Sequence, residues 1–259
     1  MLSFALVAIL ASAPVCAEEE AAPAIRAVSD ALHDARGEWR ETARLPWNGD
    51  WLDVKAVLGG LVQQDNLRDT KHDDEKCGAM VATAAALTGG PERFRKLLDR
   101  IEAKARGRDR ANVIAARRAL DARTLTAGDL HRVSEALYRT YVGGRDGSSD
   151  GDISKMIRAS GRPRVATAAK SPREILAELA PGEAFPLNVY LEQPEFIGWH
   201  VVLVWKDADG TPYVYDSDRM PGSQVFGPDR PEFRSAYLDY VSPGEKVAAE
   251  WLPGTKFGR

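Results

Sequence analysis

A run of small apolar residues constrains this chain most, because a helix built from it must be buried on every side. Residues 79–87 read Ala-Met-Val-Ala-Thr-Ala-Ala-Ala-Leu and contain no charged side chain. Thr88-Gly89-Gly90-Pro91 ends the helix. Asp73 and Asp74 stand just upstream, where N-cap residues belong. The sequence therefore predicts a buried central helix that begins near Cys77.

Cys77 occupies the first turn of this predicted helix. The first backbone N–H groups of a helix have no partner within it, and the helix dipole is positive at that end. Both effects favour a thiolate, so the position suits a nucleophilic cysteine. The alternative is a small, buried and inert side chain.

The N-terminal residues read as a secretory signal peptide over residues 1–17. They carry no charged side chain, Leu2 to Leu10 is apolar, and Val15-Cys16-Ala17 supplies small residues before Glu18. Cleavage after Ala17 is favoured over a lipid anchor at Cys16, because valine is a poor residue before a lipidated cysteine. We therefore expect a secreted or periplasmic protein whose mature chain keeps one thiol. Such a thiol indicates either a reactive group or an intermolecular link.

Composition and motifs argue against several other classes of function. The net charge of −3 argues against nucleic acid as a partner, and no apolar run of the mature chain is long enough to span a bilayer. One cysteine cannot build a cysteine-based zinc site. The loop 143–152 faintly resembles a calcium loop, but position twelve is Ile157, where a bidentate glutamate is required. No metal or cofactor is predicted.

Helical patterns come first along the chain and strand patterns second, which predicts an α+β fold. The helical patterns cover 25–42, 91–142 and 153–160, with a short helix or strand at 54–62. Strands are predicted at 185–191, 199–205 and 211–216, and two more at 237–240 and 247–252. We expect an N-terminal helical arm over 18–55 and one main domain over 56–259.

A predicted hairpin brings a histidine and an aspartate together. If Trp205 pairs with Thr211, His200 lies directly opposite Asp216, and their Cβ atoms are about 4.5–5.5 Å apart. A carboxylate there holds one imidazole nitrogen and leaves the other free for a nucleophile. A register shift of two residues would put Asp218 in the place of Asp216.

A glutamine upstream completes a possible site. The amide of Gln64, or of its neighbour Gln63, can bind an oxyanion together with the backbone N–H of Cys77. With His200 and Asp216, this set predicts a Cys-His-Asp hydrolase acting on a protein or peptide substrate.

Several segments resemble papain-like bacterial peptidases, in particular the double-glycine-leader peptidase-like family. They are Gln64, Cys77-Gly78-Ala79, the segment 147–153, residues 179–191 and residues 198–204. The resemblance covers roughly residues 60–220. It implies a papain-like fold, with the cysteine-bearing helix packed on an antiparallel sheet that carries the histidine and the aspartate. It also implies a cysteine peptidase that needs no cofactor.

Two other functions remain open at this point. The same site could transfer an acyl group to an amine, as in a transglutaminase-like acyltransferase or a secreted toxin. Alternatively, the fold could be an inactive binding module with Cys77 buried and inert.

Overall fold

The computed structural model describes residues 42–61, 76–143, 148–160, 176–193, 196–217, 225–227 and 249–251. The helices are α1 (Val54–Leu58), α2 (Cys77–Thr88), α3 (Pro91–Lys104), α4 (Gly107–Asp121), α5 (Ala127–Tyr141) and α6 (Asp150–Ala159). The strands are β1 (Trp47–Asn48), β2 (Trp51–Leu52), β3 (Ala184–Gln193), β4 (Phe196–Lys206), β5 (Pro212–Tyr215), β6 (Val225–Phe226) and β7 (Ala249–Trp251). Helices precede the larger sheet, so the predicted α+β class is confirmed.

Five strands form one antiparallel sheet in the order β6-β5-β4-β3-β7, and β1 and β2 form a separate hairpin. The predicted strands at 185–191, 199–205 and 211–216 overlap β3, β4 and β5, and β7 lies within 247–252. The strand predicted at 237–240 lies outside the described residues. Among the described residues, no helix is both long and apolar enough to cross a membrane.

Helix α2 is buried on every side, as its composition predicts. All eleven residues from Cys77 to Leu87 are buried, and the helix contacts α3, α5, α6 and β4. A helix without charged side chains loses little by this burial, because its backbone groups beyond the first turn are paired within the helix. The helix that carries the cysteine is therefore the centre of the helical part of the fold.

The predicted N-cap of α2 is wrong. Lys76, not Asp73 or Asp74, is the N-cap residue, and its carbonyl accepts from the N–H groups of Ala79 and Met80. The first intrahelical acceptor defines the N-cap, and a helix that starts at Cys77 begins too late for either aspartate to cap it. Both aspartates lie outside the described residues.

Buried polar contacts tie α2 to its neighbours. The hydroxyl of Ser134 on α5 donates to that of Thr83 at 2.9 Å, and Thr83 donates to the carbonyl of Ala79. Near the C-terminal end of α2, the indole N–H of Trp51 donates to the carbonyl of Leu87. These contacts satisfy polar groups, so α2 is held at its middle and at its C-terminal end.

The described end of the predicted N-terminal arm contains a two-stranded hairpin. Residues 47–52 form β1 and β2, and Leu45 and Leu52 belong to the main hydrophobic core. The N–H of Leu45 donates to the carbonyl of Leu125 before α5. This part of the arm therefore packs as part of the main domain, while residues 18–41 lie outside the described residues.

Candidate active site

Cys77 begins α2 and keeps 9% of its surface exposed. The first intrahelical bonds of α2 belong to Ala79 and Met80. Among the described residues, no acceptor meets the backbone N–H of Cys77 or of Gly78. The thiol thus lies beside two donors that are free to bind a negatively charged oxygen.

The β4–β5 hairpin differs in register from the prediction. Trp205 pairs with Tyr213 and Lys206 with Pro212, so the residue numbers of each pair add to 418 and not to 416. The register is shifted by two residues from the predicted one. This is the alternative register, in which position 218 and not position 216 is opposite His200. His200 and Asp216 are therefore not directly opposite each other, and that expectation is wrong.

The loop of this hairpin explains the shift. The backbone N–H of Thr211 donates to the carboxylates of Asp207 and Asp209, at 2.9 Å each. An N–H group taken by side chains is not available to a strand partner, so Thr211 belongs to the loop and β5 begins at Pro212. Gly210 completes the loop in the left-handed region, with φ of 88°.

His200 and Asp216 are nevertheless in contact. Nε2 of His200 lies 2.8 Å from Oδ1 of Asp216, and both residues are buried, with 4% and 3% of their surfaces exposed. Because β5 ends at Tyr215, Asp216 lies just past the strand and reaches His200 diagonally. The pairing of residue types was predicted correctly, although the predicted register was not.

Cys77 is the second partner of the His200 ring. The thiol lies close enough to the ring to act on the pKa of His200, and since Asp216 contacts Nε2, Nδ1 is the nitrogen left to face a nucleophile. Burial opposes the charged imidazolium, but the charge and hydrogen bond of Asp216, and then those of Cys77, raise the pKa of His200 well above 6.5. Among the described residues, the buried Cys77–His200–Asp216 cluster thus brings a thiol, an imidazole and a carboxylate together.

Charged residues surround the start of α2 as well. Lys76 forms an ion pair with Glu135 of α5, and Glu135 also pairs with Arg139. Burial would raise the pKa of Glu135, but the hydrogen bond and charge of Lys76, with the charges of His131 and Arg139, lower it. The carboxylate offsets the positive charge of Lys76 at the positive end of the helix. No spacing in the sequence indicated this pair, because it joins two separate helices.

Tyr215 is a second residue that the sequence analysis missed. It is fully buried, and its hydroxyl donates to the carbonyl of Leu61 at 2.6 Å. Burial, and then the charge of Asp216, raise the pKa of Tyr215 well above its usual value. An aromatic residue in a predicted strand reads as core packing, so only its place directly before Asp216 could have singled it out.

The remaining predicted site residues lie outside the described residues. They are Gln63, Gln64 and Asp218. The loop 143–152 is described only in part, and among the described residues no group of three or more histidine, cysteine, aspartate or glutamate side chains is placed to hold a metal ion.

No protein-family model, curated protein or solved structure matches this chain. Its function must therefore be inferred from the chemistry of the Cys77–His200–Asp216 cluster itself.

Proposed function

We propose that this chain is a thiol hydrolase with a papain-like Cys-His-Asp site. One observation carries the proposal: buried His200 is held by Asp216 at 2.8 Å and lies close enough to Cys77 for the thiol to help raise the pKa of the ring. Nucleophile, base and orienting acid are the three groups that acyl transfer through a cysteine requires. A buried structural cysteine has no need of an imidazole and a carboxylate in series.

The first half of the reaction forms an acyl-enzyme. The thiolate of Cys77 attacks the carbonyl carbon of the substrate, and its oxygen becomes an oxyanion. The free backbone N–H groups of Cys77 and Gly78 are available donors for that charge, and Gln64 stays the predicted side-chain donor. The imidazolium of His200 then gives its proton to the leaving amine as the C–N bond breaks, which leaves a thioester.

The second half regenerates the enzyme. Neutral His200 takes a proton from water while the water oxygen attacks the thioester carbonyl. Collapse of the second tetrahedral intermediate breaks the C–S bond and releases the carboxylic acid. Asp216 holds the ring in one tautomer throughout and stabilises its charged form.

The proposal extends to fold, substrate and location. A cysteine-bearing central helix and an antiparallel sheet that carries the histidine and the acid support a papain-like fold. A peptide or isopeptide bond is the proposed target, because its amine leaving group needs the proton that His200 supplies. The sequence of residues 1–17 supports export, with cleavage after Ala17.

Labelling with iodoacetamide followed by a peptide-library screen tests the proposal. We expect Cys77 to be labelled, and we expect the purified protein to cleave a subset of peptides. Cys77→Ala should abolish both, and His200→Ala should reduce cleavage by about 10²–10⁴-fold. His131→Ala is the matched control and should leave cleavage within about twofold, because His131 lies outside the cluster.

Adding an amine to the same assay separates hydrolysis from acyl transfer. A hydrolase releases the free carboxylic acid at all amine concentrations. An acyltransferase releases an amide, whose mass exceeds that of the acid by the mass of the amine minus that of one water molecule. An inert Cys77 with no cleavage of any peptide would contradict the proposal and favour a binding module.

A further inference from the structure

Tyr215 is the last residue of β5 and directly precedes Asp216. Its side chain is completely buried in the core formed with the helices. Its hydroxyl donates to the carbonyl of Leu61, which follows α1 and is also completely buried. Buried donors and acceptors that lose their partner destabilise the fold, because they have no water to bond to instead. This hydrogen bond therefore fixes the end of β5 against the N-terminal part of the chain.

The end of β5 decides where the carboxylate of Asp216 lies. Continuing the ladder, in which paired numbers add to 418, puts position 216 opposite Val202 and not opposite His200. The carboxylate still meets Nε2 of His200 at 2.8 Å, so the contact depends on how the chain leaves the strand after Tyr215. Successive strand residues point to opposite faces, and Tyr215 can therefore be anchored in the helical core while Asp216 serves the site.

Tyr213, two residues earlier on β5, provides an internal comparison. Its hydroxyl accepts from Nζ of Lys55 on α1 at 2.9 Å, so both tyrosines connect β5 to the same part of the chain. Tyr213 is only partly buried and stacks on Trp205, its strand partner. It is two residues further from Asp216 along the strand and should not affect the carboxylate.

We propose that Tyr215 is a positioning residue, which keeps Asp216 within hydrogen-bonding distance of His200 by anchoring the end of β5 to Leu61. The inference rests on the proposed function, because it gives Tyr215 a part in that reaction through Asp216. Tyr215 touches neither the substrate nor the thiol in this scheme. Its effect passes through the imidazole, whose charged state depends on the carboxylate.

The test is an NMR titration of His200 in the full-length protein with ¹⁵N-labelled histidine, the resonance being assigned with His200→Gln. In Tyr215→Phe the midpoint should move toward 6.5, by roughly one pH unit, because a weakened carboxylate contact stabilises the imidazolium less. The kcat for peptide cleavage should fall about tenfold or more with little change in KM, since substrate binding is not involved. Tyr213→Phe should leave midpoint and kcat unchanged.

A purely structural role predicts a different result. Tyr215→Phe would then lower the melting temperature and leave the titration of His200 as it is in the unsubstituted protein, which overturns the proposal. If the Tyr215→Phe variant is too unstable to titrate, the same titration is done with p-aminophenylalanine at position 215, whose amine is a weaker hydrogen-bond donor than the phenol. An intermediate midpoint supports positioning, and an unchanged midpoint overturns it.

The titration needs no turnover, so the two proposals fail separately. If the protein cleaves no peptide but Tyr215→Phe still moves the midpoint of the His200 titration, the proposed function is contradicted and the positioning of Asp216 by Tyr215 is supported. If the protein cleaves peptides but the midpoint is unchanged in Tyr215→Phe, the proposed function is supported and the positioning role of Tyr215 is contradicted.

Discussion

His200 is the residue through which this site responds to pH. Its ring lies between a carboxylate and a thiol, and both partners favour the charged imidazolium over the burial that opposes it. The raised pKa of His200 means that the imidazolium persists to a higher pH than an exposed histidine would allow.

Alkylation of Cys77 should therefore be fast in mildly acidic solution. We expect iodoacetamide to react at about pH 6 faster than with a free thiol, because a free thiol is almost entirely protonated there. His200→Ala should slow the reaction at that pH, since the imidazolium is lost. Mass spectrometry of the labelled peptide over time measures the rate.

Asp216→Asn separates the acid from the base. Labelling should change less than in His200→Ala, because the imidazole remains, but cleavage should fall by about 10²–10⁴-fold as the ring loses its orientation and charge support. Labelling that begins only above about pH 8, and that does not respond to His200→Ala, would mark Cys77 as an ordinary thiol.

At the scale of the element, the closeness of α2 and α6 depends on Gly78. A Cβ at this position would lie 2.7 Å from Cγ1 of Ile153 and 3.2 Å from Cε of Met156 on α6. Ile153 and Met156 are themselves buried, so neither side chain has free space to move into. The residue after Cys77 is thus a glycine because another helix packs against it.

Gly78→Ala should destabilise the protein. Alanine favours the helix by about 1 kcal/mol, but overpacking a core contact costs about 1–3 kcal/mol, so we expect a net loss of up to about 2 kcal/mol in the free energy of unfolding. A displaced first turn should also slow the labelling of Cys77. Urea denaturation and iodoacetamide kinetics measure the two effects.

Gly151→Ala on α6 is the matched control for that experiment. A Cβ there meets only Oγ of Ser149, at 3.7 Å, which is an ordinary contact. The substitution should therefore stabilise the protein by about 0.5–1 kcal/mol. Equal effects of the two substitutions would contradict the importance of the α2–α6 contact.

The features of these elements that depend on residues nearby in the sequence could be predicted, and those that depend on contacts between side chains and distant segments could not. The burial of α2 and the positions of β3, β4 and β5 can be predicted from the sequence. They depend on the spacing of apolar residues and on turn residues, which are local features of the sequence. The hairpin register does not, since it was decided by two carboxylates that captured the N–H of Thr211. The Lys76–Glu135 pair and the Tyr215–Leu61 bond join distant segments and have no local signal.

For the whole molecule, the site couples pH to global stability. The pKa of His200 is raised in the folded state, so the folded protein binds its proton more tightly than the unfolded chain does. The resulting stabilisation is fully present below the unfolded value of about 6.5 and is lost as pH rises through the folded value. The site should therefore contribute most to stability in acidic solution.

A comparison of the unsubstituted protein with Asp216→Asn measures this contribution. The difference in their free energies of unfolding should be constant in mildly acidic solution up to about pH 6.5 and should shrink above it, as the imidazole of the unsubstituted protein becomes neutral. Urea denaturation over a series from about pH 6 to about pH 9 covers this range. A difference that grows with pH would show that the sign of the coupling is reversed.

The bond between Tyr215 and Leu61 spans 154 positions of the chain, and it has a consequence for the order of folding. Contacts among α3, α4, α5 and α6 join neighbours in sequence, so the helical part can form early, while a contact over such a distance closes late. Cys77 would then be in place on its helix before the β4–β5 hairpin brings the imidazole and the carboxylate to it. A partly synthesised chain would carry the thiol without the imidazole, and under the proposed function it would be inactive until the β4–β5 hairpin has folded.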